Sequence, residues 1–232
     1  MKIRELTLYI NRFTEQQQFY ADVLDLPIDH INNNVFAVQV GWTRFIFVRT
    51  DQHHLYHYCF LIPANKLLEA MRWMESKVEI IETEEGKIVF FDTWNAYSFY
   101  FYDGAGNIAE CIVRHDLMNN SDKPFSSIDF LCINEIGLGT DNIRETNRQL
   151  NAAMGTKFWK GEMEIFATNG SQEGLFLLPN YTKKKTWFPT SIVIKPSPVK
   201  GIFENQGKIH ELQFINKVVS KRMKTNKIKP WS

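Results

Sequence analysis

The sequence predicts an α+β protein built from repeated units of one strand, one helix and three further strands. The order of elements, read from hydrophobic periodicity, is β-α-β-β-β over residues 1–50 and again over residues 56–114. The later strands of each unit are joined by short turns rich in Gly, Asn and Asp, which are typical of antiparallel hairpins. A doubly wound parallel sheet needs longer crossovers, so the sequence favours sheets of mixed strand direction.

The first unit begins with a strand at residues 3–10, where apolar and polar side chains alternate in part. A helix is expected over residues 14–24, because Phe19, Tyr20, Val23 and Leu24 recur at helical spacing before Pro27. Three short strands are expected next, at residues 28–31, 35–40 and 43–50.

The second unit repeats this order. Residues 56–62 predict a strand, and residues 63–77 predict a helix with an apolar face. Further strands are expected at residues 87–94, 98–102 and 108–114. The last strand carries Glu110 among apolar residues. A buried carboxylate without a partner is costly, by several kcal/mol, so Glu110 needs a compensating group.

The second half of the chain resembles the first half less closely. Residues 116–125 are polar and predict a linker. A third unit follows, with strands at 128–139, 162–168 and 174–178 and a helix at 141–154 that ends at Gly155. Strands are expected at 191–195 and 209–215 with no helix between them. We therefore expect a two-module domain at 1–115, a linker, a degenerate modular domain at 126–216 and a basic tail at 217–232.

Composition narrows the class of protein. The chain has 232 residues and a formal net charge of +1, which favours neither nucleic acid nor an acidic membrane surface as a partner. Three cysteines in apolar segments indicate free thiols in a reducing compartment. The chain shows no signal peptide and no apolar run that would span a bilayer, so a cytoplasmic location is expected. No P-loop, dinucleotide fingerprint or serine-hydrolase motif is present.

Three stretches resemble the vicinal oxygen chelate superfamily, which includes glyoxalase I, bleomycin-resistance and fosfomycin-resistance proteins and extradiol dioxygenases. They are LTLYINRFTEQQQFYADVLDLPI, HYCFLIPANKLLEAM and SFYFYDGAGNIAECIVR. The last is similar to the family's aromatic strand, D-P-x-G-N turn and final strand with its Glu, with Gly104 in place of the usual Pro. The resemblance implies paired modules whose mixed sheets curl into a cup around a divalent metal.

The resemblance also implies a ligand set. The family's ligand positions fall at Glu5, His57 and Glu110, while the fourth falls at Phe45, which cannot ligate. Strand periodicity is consistent with this set, because Glu5 shares a strand face with Thr7 and Tyr9 and not with the apolar residues. One imidazole and two carboxylates suit Mn, Fe, Zn, Co or Ni as divalent ions. Glu110 and Tyr100 are the expected catalytic residues.

Each candidate also has a purely structural interpretation. Glu5 could be an exposed residue near the start of the chain, and His57 a hydrogen-bonded core histidine. Glu110 could form a buried ion pair with Arg4 or Arg44. Glu135 opens the third unit as Glu5 opens the first, and we expect it to be structural or part of a degenerate site.

Two functions are therefore expected. The first is a metal-dependent lyase, isomerase or dioxygenase that acts on a small molecule with adjacent oxygens chelated to the metal. The alternative is a metal-free protein that sequesters a small molecule, as bleomycin-resistance proteins do. In either case the chain would act as a monomer or a homodimer, without nucleic acid or membrane partners.

Overall fold

The structure is a computed structural model, and it describes residues 1–215 and 218–221. This part of the chain forms two mixed β-sheets with three α-helices. The strands are β1 (Lys2–Ile10), β2 (Ile28–Asn32), β3 (Val35–Val40), β4 (Thr43–Arg49), β5 (His57–Leu61), β6 (Ile80–Ile81), β7 (Val89–Phe91), β8 (Ala96–Tyr102), β9 (Ile108–Arg114), β10 (Cys132–Gly137), β11 (Phe158–Glu162), β12 (Phe166–Ser171), β13 (Gly174–Pro179), β14 (Val199–Asn205), β15 (Lys208–Ile215) and β16 (Val218–Lys221).

The helices are short. Helix α1 (Phe13–Gln18) continues into one turn of π-helix at Phe19–Val23, and the other two are α2 (Leu67–Glu75) and α3 (Ile143–Met154). Helix α3 ends at Gly155, whose φ of 74° lies in the left-handed region, as the sequence predicted. Single turns of 3₁₀ helix lie at Asp92–Trp94, His115–Leu117 and Ser127–Asp129. None of the helices in the described part of the chain has the length and apolar character that crossing a membrane requires.

Strand pairing divides the chain into two sheets. The first sheet has the order β16-β15-β14-β1-β4-β3-β2. The second has the order β11-β12-β13-β10-β5-β9-β8-β6, with β7 paired to β8. Within each of the first three units the opening strand lies parallel to the closing strand, as in β1 with β4, β5 with β9 and β10 with β13. The predicted α+β class with modular, mixed sheets is confirmed.

The partners of the units differ from the expectation. The first two units were expected to close one cup, but β1 pairs antiparallel with β14 of the last unit and β5 pairs antiparallel with β10 of the third. In each of the first three units the opening strand lies at the edge of the unit. The sequence of one unit does not indicate which other unit this edge strand pairs with. The cup that contains His57 and Glu110 is therefore completed by the third unit.

The core lies between the sheets. Leu6, Leu8 and Ile10 of β1 share one buried cluster with Tyr58 and Phe60 of β5. Because strand side chains alternate, the residues between them on β5 face the opposite side of the second sheet. That side holds the candidate site described below.

The last unit is incomplete, as expected, but its first predicted strand is wrong. Residues 191–195 form no strand, and the strand lies at Val199–Asn205 instead. Gly201 interrupts the alternation of side chains, so the sequence pattern did not indicate this strand. A glycine is required at position 201 because a Cβ atom there would lie 2.5 Å from the Glu5 backbone oxygen. Residues 180–198, which we name the strap, run from β13 to β14 without a helix.

The structure also bears on the cysteines, the expected linker and the expected basic tail. The three cysteines, Cys59, Cys111 and Cys132, are buried free thiols, as the sequence indicated. The segment 116–125 joins β9 to β10, which belong to the same sheet, and the domain boundaries stay a prediction. In the expected basic tail, residues 218–221 form β16, whereas positions 217 and 222–232 lie outside the described residues.

Candidate metal centre

Three neighbouring strands bring one imidazole and two carboxylates together. Each of His57, Glu110 and Glu135 offers a ligand atom, and these atoms all lie within 4.8 Å of one another. His57 Nε2 is 3.3 Å from Glu110 Oε2. All three residues are at most 5% exposed.

The strand register explains this convergence. Strand β5 lies between β9 and β10, and Cys59 pairs with Glu110 on one side and with Glu135 on the other. His57 lies two residues from Cys59, so its side chain projects from the same face of the sheet. The three residues therefore meet on one face although they lie far apart in the sequence.

Glu5 is not part of this group, which corrects the expected ligand set. It lies in β1 of the first sheet, where it pairs with Arg44 and Ile202, and it is half-buried. Glu135, which we expected to be structural or degenerate, takes the third position because β10 is the strand that pairs with β5. The sequence placed Glu135 in the opening strand of the third unit. It did not indicate that this strand pairs with β5 of the second unit.

A fourth position of the cup is apolar. In the second unit His57 pairs with Ile108, and Glu110 follows two residues later. In the third unit Glu135 pairs with Leu175, and Leu177 follows two residues later. Leu177 therefore stands where the second unit has Glu110, and it cannot ligate a metal. The cup offers three protein donors.

Hydrogen bonds orient two of the donors. His57 Nδ1 lies 3.3 Å from the backbone oxygen of Ile108, and donation of the Nδ1 proton to that oxygen leaves the Nε2 lone pair directed at the cluster. The Tyr100 hydroxyl donates to Glu110 Oε1 at 3.1 Å. Outer contacts of this kind fix the orientation of ligands in metal sites.

The structural alternative for Glu110, an ion pair with Arg4 or Arg44, is not found among the described residues, because both arginines bind other carboxylates. Arg4 binds Glu204, and Arg44 binds Asp29. Instead, a different arginine, Arg114 at the end of β9, forms a buried ion pair with Glu135.

An arginine that ends a strand is usually exposed, but Arg114 is fully buried. Its Nε donates to Asn134 Oδ1 at 2.9 Å. The rings of Trp94 and Trp159 lie 5.4 and 5.5 Å from its guanidinium carbon. Arg114 is thus held by an amide, a carboxylate and two aromatic rings.

Burial governs the protonation of the site. Burial raises the pKa of Glu135 to about 7, although the Arg114 guanidinium opposes this change and the neighbouring Glu110 carboxylate adds to it. Burial and the Glu110 carboxylate also raise the pKa of Tyr100 well above its usual value, so its hydroxyl stays protonated. Metal ligation requires a neutral imidazole and ionised carboxylates. In that form the cluster and Arg114 together carry one excess negative charge.

This donor set fits a divalent cation. A buried negative excess needs a counter-charge, and an imidazole nitrogen with two carboxylate oxygens suits the ions Mn, Fe, Co, Ni and Zn in their divalent forms. The 3.3 Å separation of Nε2 and Oε2 is a distance that two ligands of one ion can adopt. His57, Glu110 and Glu135 are the residues that could hold it.

The cluster lies at the polar end of an aromatic pocket. The cavity has a volume of about 290 Å³. Two of its walls come from the strap, where Trp187 packs 5.4 Å from the His57 ring and Phe188 packs 5.7 Å from the Tyr100 ring. The lining residues are His57, Phe91, Trp94, Tyr100, Glu110, Glu135, Phe166, Leu177, Lys184, Trp187 and Phe188.

Neither protein-family models nor curated proteins match the sequence. Solved structures do. A crystal structure of a "putative dioxygenase" from Bacillus subtilis superposes with a TM-score of 0.56 at 14% identity, over 78% of this chain and 64% of that chain. The chain has the vicinal oxygen chelate fold. This chain spans just under two thirds of the length of the Bacillus structure.

Two further matches have lower TM-scores. A glyoxalase I mutant from Zea mays has a TM-score of 0.49 at 10% identity, over 76% of this chain and 66% of that chain. Lactoylglutathione lyase from Agrobacterium tumefaciens has a TM-score of 0.40 at 18% identity, over 48% of this chain and 92% of that chain. At such identities the vicinal oxygen chelate fold is the property that the comparisons establish.

Proposed function

We propose that this protein is a metal-dependent enzyme of the glyoxalase or dioxygenase type. Its substrate is a small molecule with two adjacent oxygens. The observation that carries the proposal is the convergence of His57, Glu110 and Glu135 in the lining of an aromatic pocket. Buried titratable groups whose pKa values are shifted by burial and by neighbouring charges are typical of functional sites.

His57 Nε2 and one oxygen each of Glu110 and Glu135 would hold the metal. A divalent ion at this point would supply a Lewis acid with coordination positions left for two substrate oxygens. Arg114 contacts Glu135 Oε1, so Oε2 of the same carboxylate is the oxygen left for the ion.

The protein residues orient the site and control protons. Tyr100 keeps its proton at the hydroxyl because its pKa is raised, and it directs that proton to Glu110 Oε1. We assign Glu110 and Tyr100 the catalytic roles on this basis. The aromatic walls surround the cluster with apolar groups, which strengthens the charge interactions there.

The alternative, a metal-free binding protein, would use the same pocket. Without a counter-ion it would have to bury two adjacent carboxyl groups, either as charges, which is unfavourable, or with a proton held at Glu135, whose pKa is raised to about 7 by burial. This alternative therefore receives less support from the site, and the experiment below separates the two functions.

The test uses two isomers that differ only in the spacing of their oxygens. Protein is treated with chelator and reloaded with Mn²⁺, Fe²⁺, Co²⁺, Ni²⁺ or Zn²⁺. Binding of catechol, with adjacent hydroxyls, is then compared with binding of resorcinol, whose hydroxyls are not adjacent. We expect catechol to bind the reloaded protein only, and resorcinol to bind weakly in all samples.

Oxygen uptake and ultraviolet spectra of the same samples report turnover. Equal catechol binding before and after reloading would favour the metal-free alternative. Equal binding of the two isomers to reloaded protein would contradict chelation by adjacent oxygens.

A further inference from the structure

The strap places one cation in the lining of the aromatic pocket. Lys184 lines the pocket together with Trp187 and Phe188 of the same segment, and it is half-buried. It is the sole lysine or arginine among the lining residues that the structure describes. The remaining charged and titratable lining groups belong to the cluster of His57, Glu110 and Glu135 and its neighbour Tyr100.

The backbone of the strap fixes the position of this lysine. Lys184 N donates to the Asn180 backbone oxygen at 2.8 Å, and Ile194 N donates to the Lys185 oxygen at 2.9 Å. Trp187 N donates to the Ile192 oxygen at 2.9 Å. These bonds close the strap on itself, so Lys184 starts from an anchored main chain and not from an open loop.

A comparison with the adjacent lysines sets Lys184 apart. Lys183 Nζ pairs with Glu164 at 2.9 Å, and Lys185 Nζ donates to the Thr182 oxygen at 2.7 Å. Within the described residues, the Lys184 ammonium makes neither a hydrogen bond nor an ion pair. Three consecutive lysines therefore have two satisfied ammonium groups on the surface and one available group beside the pocket.

The lining of the pocket therefore combines the polar cluster, several aromatic rings and one cation. A ligand whose adjacent oxygens reach the cluster would extend between aromatic rings toward Lys184. An anionic group at the far end of such a ligand would find its counter-charge there. A charge-assisted hydrogen bond in this partly desolvated setting is stronger than the same contact on an open surface.

A second environment of Lys184 must be weighed against this one. A neighbouring cavity is lined by Lys184 together with three acidic residues, Glu82, Glu84 and Glu85. A purely structural Lys184 would serve to balance these glutamates. No ion pair joins any of them to Lys184 in the described part of the chain.

We propose that Lys184 is a specificity-determining residue that binds an anionic group of the substrate, of the carboxylate kind, at the end remote from the chelated oxygens. This inference rests on the proposed function, because it needs the adjacent oxygens to lie at the cluster. It adds a subsite supplied by the strap, the segment that joins β13 to β14.

The experiment uses acid and amide pairs of equal size. The probes are 3,4-dihydroxybenzoate, 3,4-dihydroxyphenylacetate and 3-(3,4-dihydroxyphenyl)propanoate, each with its neutral amide. Three lengths are needed so that one of them spans the pocket. Dissociation constants are measured by calorimetry on Co²⁺-reloaded full-length protein and, as a baseline, on chelator-treated protein.

Three variants with the same substitution make the comparison specific. Lys184→Met removes the proposed contact, while Lys183→Met and Lys185→Met change neighbouring lysines that do not line the pocket. In wild type we expect the acid of at least one length to bind about tenfold more tightly than its amide. That preference should vanish in Lys184→Met and persist in both controls.

The outcomes separate the two proposals. If no probe shows metal-dependent binding, the proposed function fails and the subsite fails with it. If the probes bind with metal but no length gives an acid preference in wild type, only the Lys184 subsite is overturned. The subsite is likewise overturned if Lys184→Met keeps the preference and only lowers the melting temperature, because the lysine would then serve the acidic residues alone.

Discussion

Arg114 of β9 and Glu135 of β10 form an ion pair with side-chain exposures of 0% and 2%. The pair joins the second and third units across β5, at the same point where the candidate ligands meet. Glu135 therefore holds the units together through Arg114 and also completes the donor set. This double use makes the pair the most sensitive structural element of the site.

The first prediction concerns Arg114→Met. The substitution leaves Glu135 buried beside Glu110 without its counter-charge, so we expect unfolding free energy to fall by about 3–5 kcal/mol in chelator-treated protein. Urea denaturation measures the loss. As a control, Arg114→Met combined with Glu135→Gln should recover part of it, because the unpaired charge is gone. If the two substitutions simply add, the ion pair does not carry the stability assigned to it.

The second prediction concerns the contact between Gly137 and Trp187. A Cβ atom at Gly137 would lie 2.3 Å from Trp187 Cη2, so Gly137→Ala should push the indole off its position beside His57. We expect a cost of about 1–3 kcal/mol and a change in tryptophan fluorescence. In a Trp187→Ala background the same substitution should cost much less. An equal cost in both backgrounds would show that the indole does not need this glycine.

The third prediction concerns the turn that fixes the register of Glu110. Asp103 Oδ2 accepts from Gln16 Nε2 at 2.6 Å, from Tyr58 Oη at 2.9 Å and from Asn107 Nδ2 at 2.8 Å. Oδ1 accepts from the backbone N–H groups of Ala105 and Asn107. Asp103 is therefore surrounded by donors.

Asp103→Asn replaces one acceptor oxygen with an NH₂ group that would face these donors. We expect the unfolding free energy to fall by about 2 kcal/mol, measured by thermal or urea unfolding. Tyr58→Phe, which deletes one donor and leaves the carboxylate, is the matched variant and should cost less. A smaller loss in Asp103→Asn than in Tyr58→Phe would contradict an acceptor role for Asp103.

Local elements were largely predictable from the sequence, and their assembly was not. Strands β1 to β4, β5, β8 and β9 lie within about two residues of their expected bounds, because alternation and turn residues are local signals. The register of Glu110 followed from the turn at residues 103–107. Glu5 and Glu135 look equivalent in the sequence, and only the pairing of β5 with β10 chooses between them.

The surroundings of the remaining site residues could not be predicted from the sequence. Arg114 ends a strand, and its burial depends on Trp159 and Glu135 from another unit. Trp187 and Lys184 lie in the strap, which has no periodicity because it forms neither helix nor strand. Their positions arise from tertiary contacts of a segment with mostly irregular backbone.

The most direct test of the account is a Co²⁺ titration, by calorimetry and visible spectra, of chelator-treated wild type and three Gln variants. Wild type should bind about one ion per chain. Glu110→Gln and Glu135→Gln should each weaken binding by more than about a hundredfold. Without metal, Glu110→Gln should unfold no more easily than wild type, because it removes one of two adjacent carboxylates, whereas Glu135→Gln should lose stability because it leaves Arg114 without its partner. Glu5→Gln should bind like wild type. The account is contradicted if Glu135→Gln binds as tightly as wild type, or if Glu5→Gln is the variant that loses the ion.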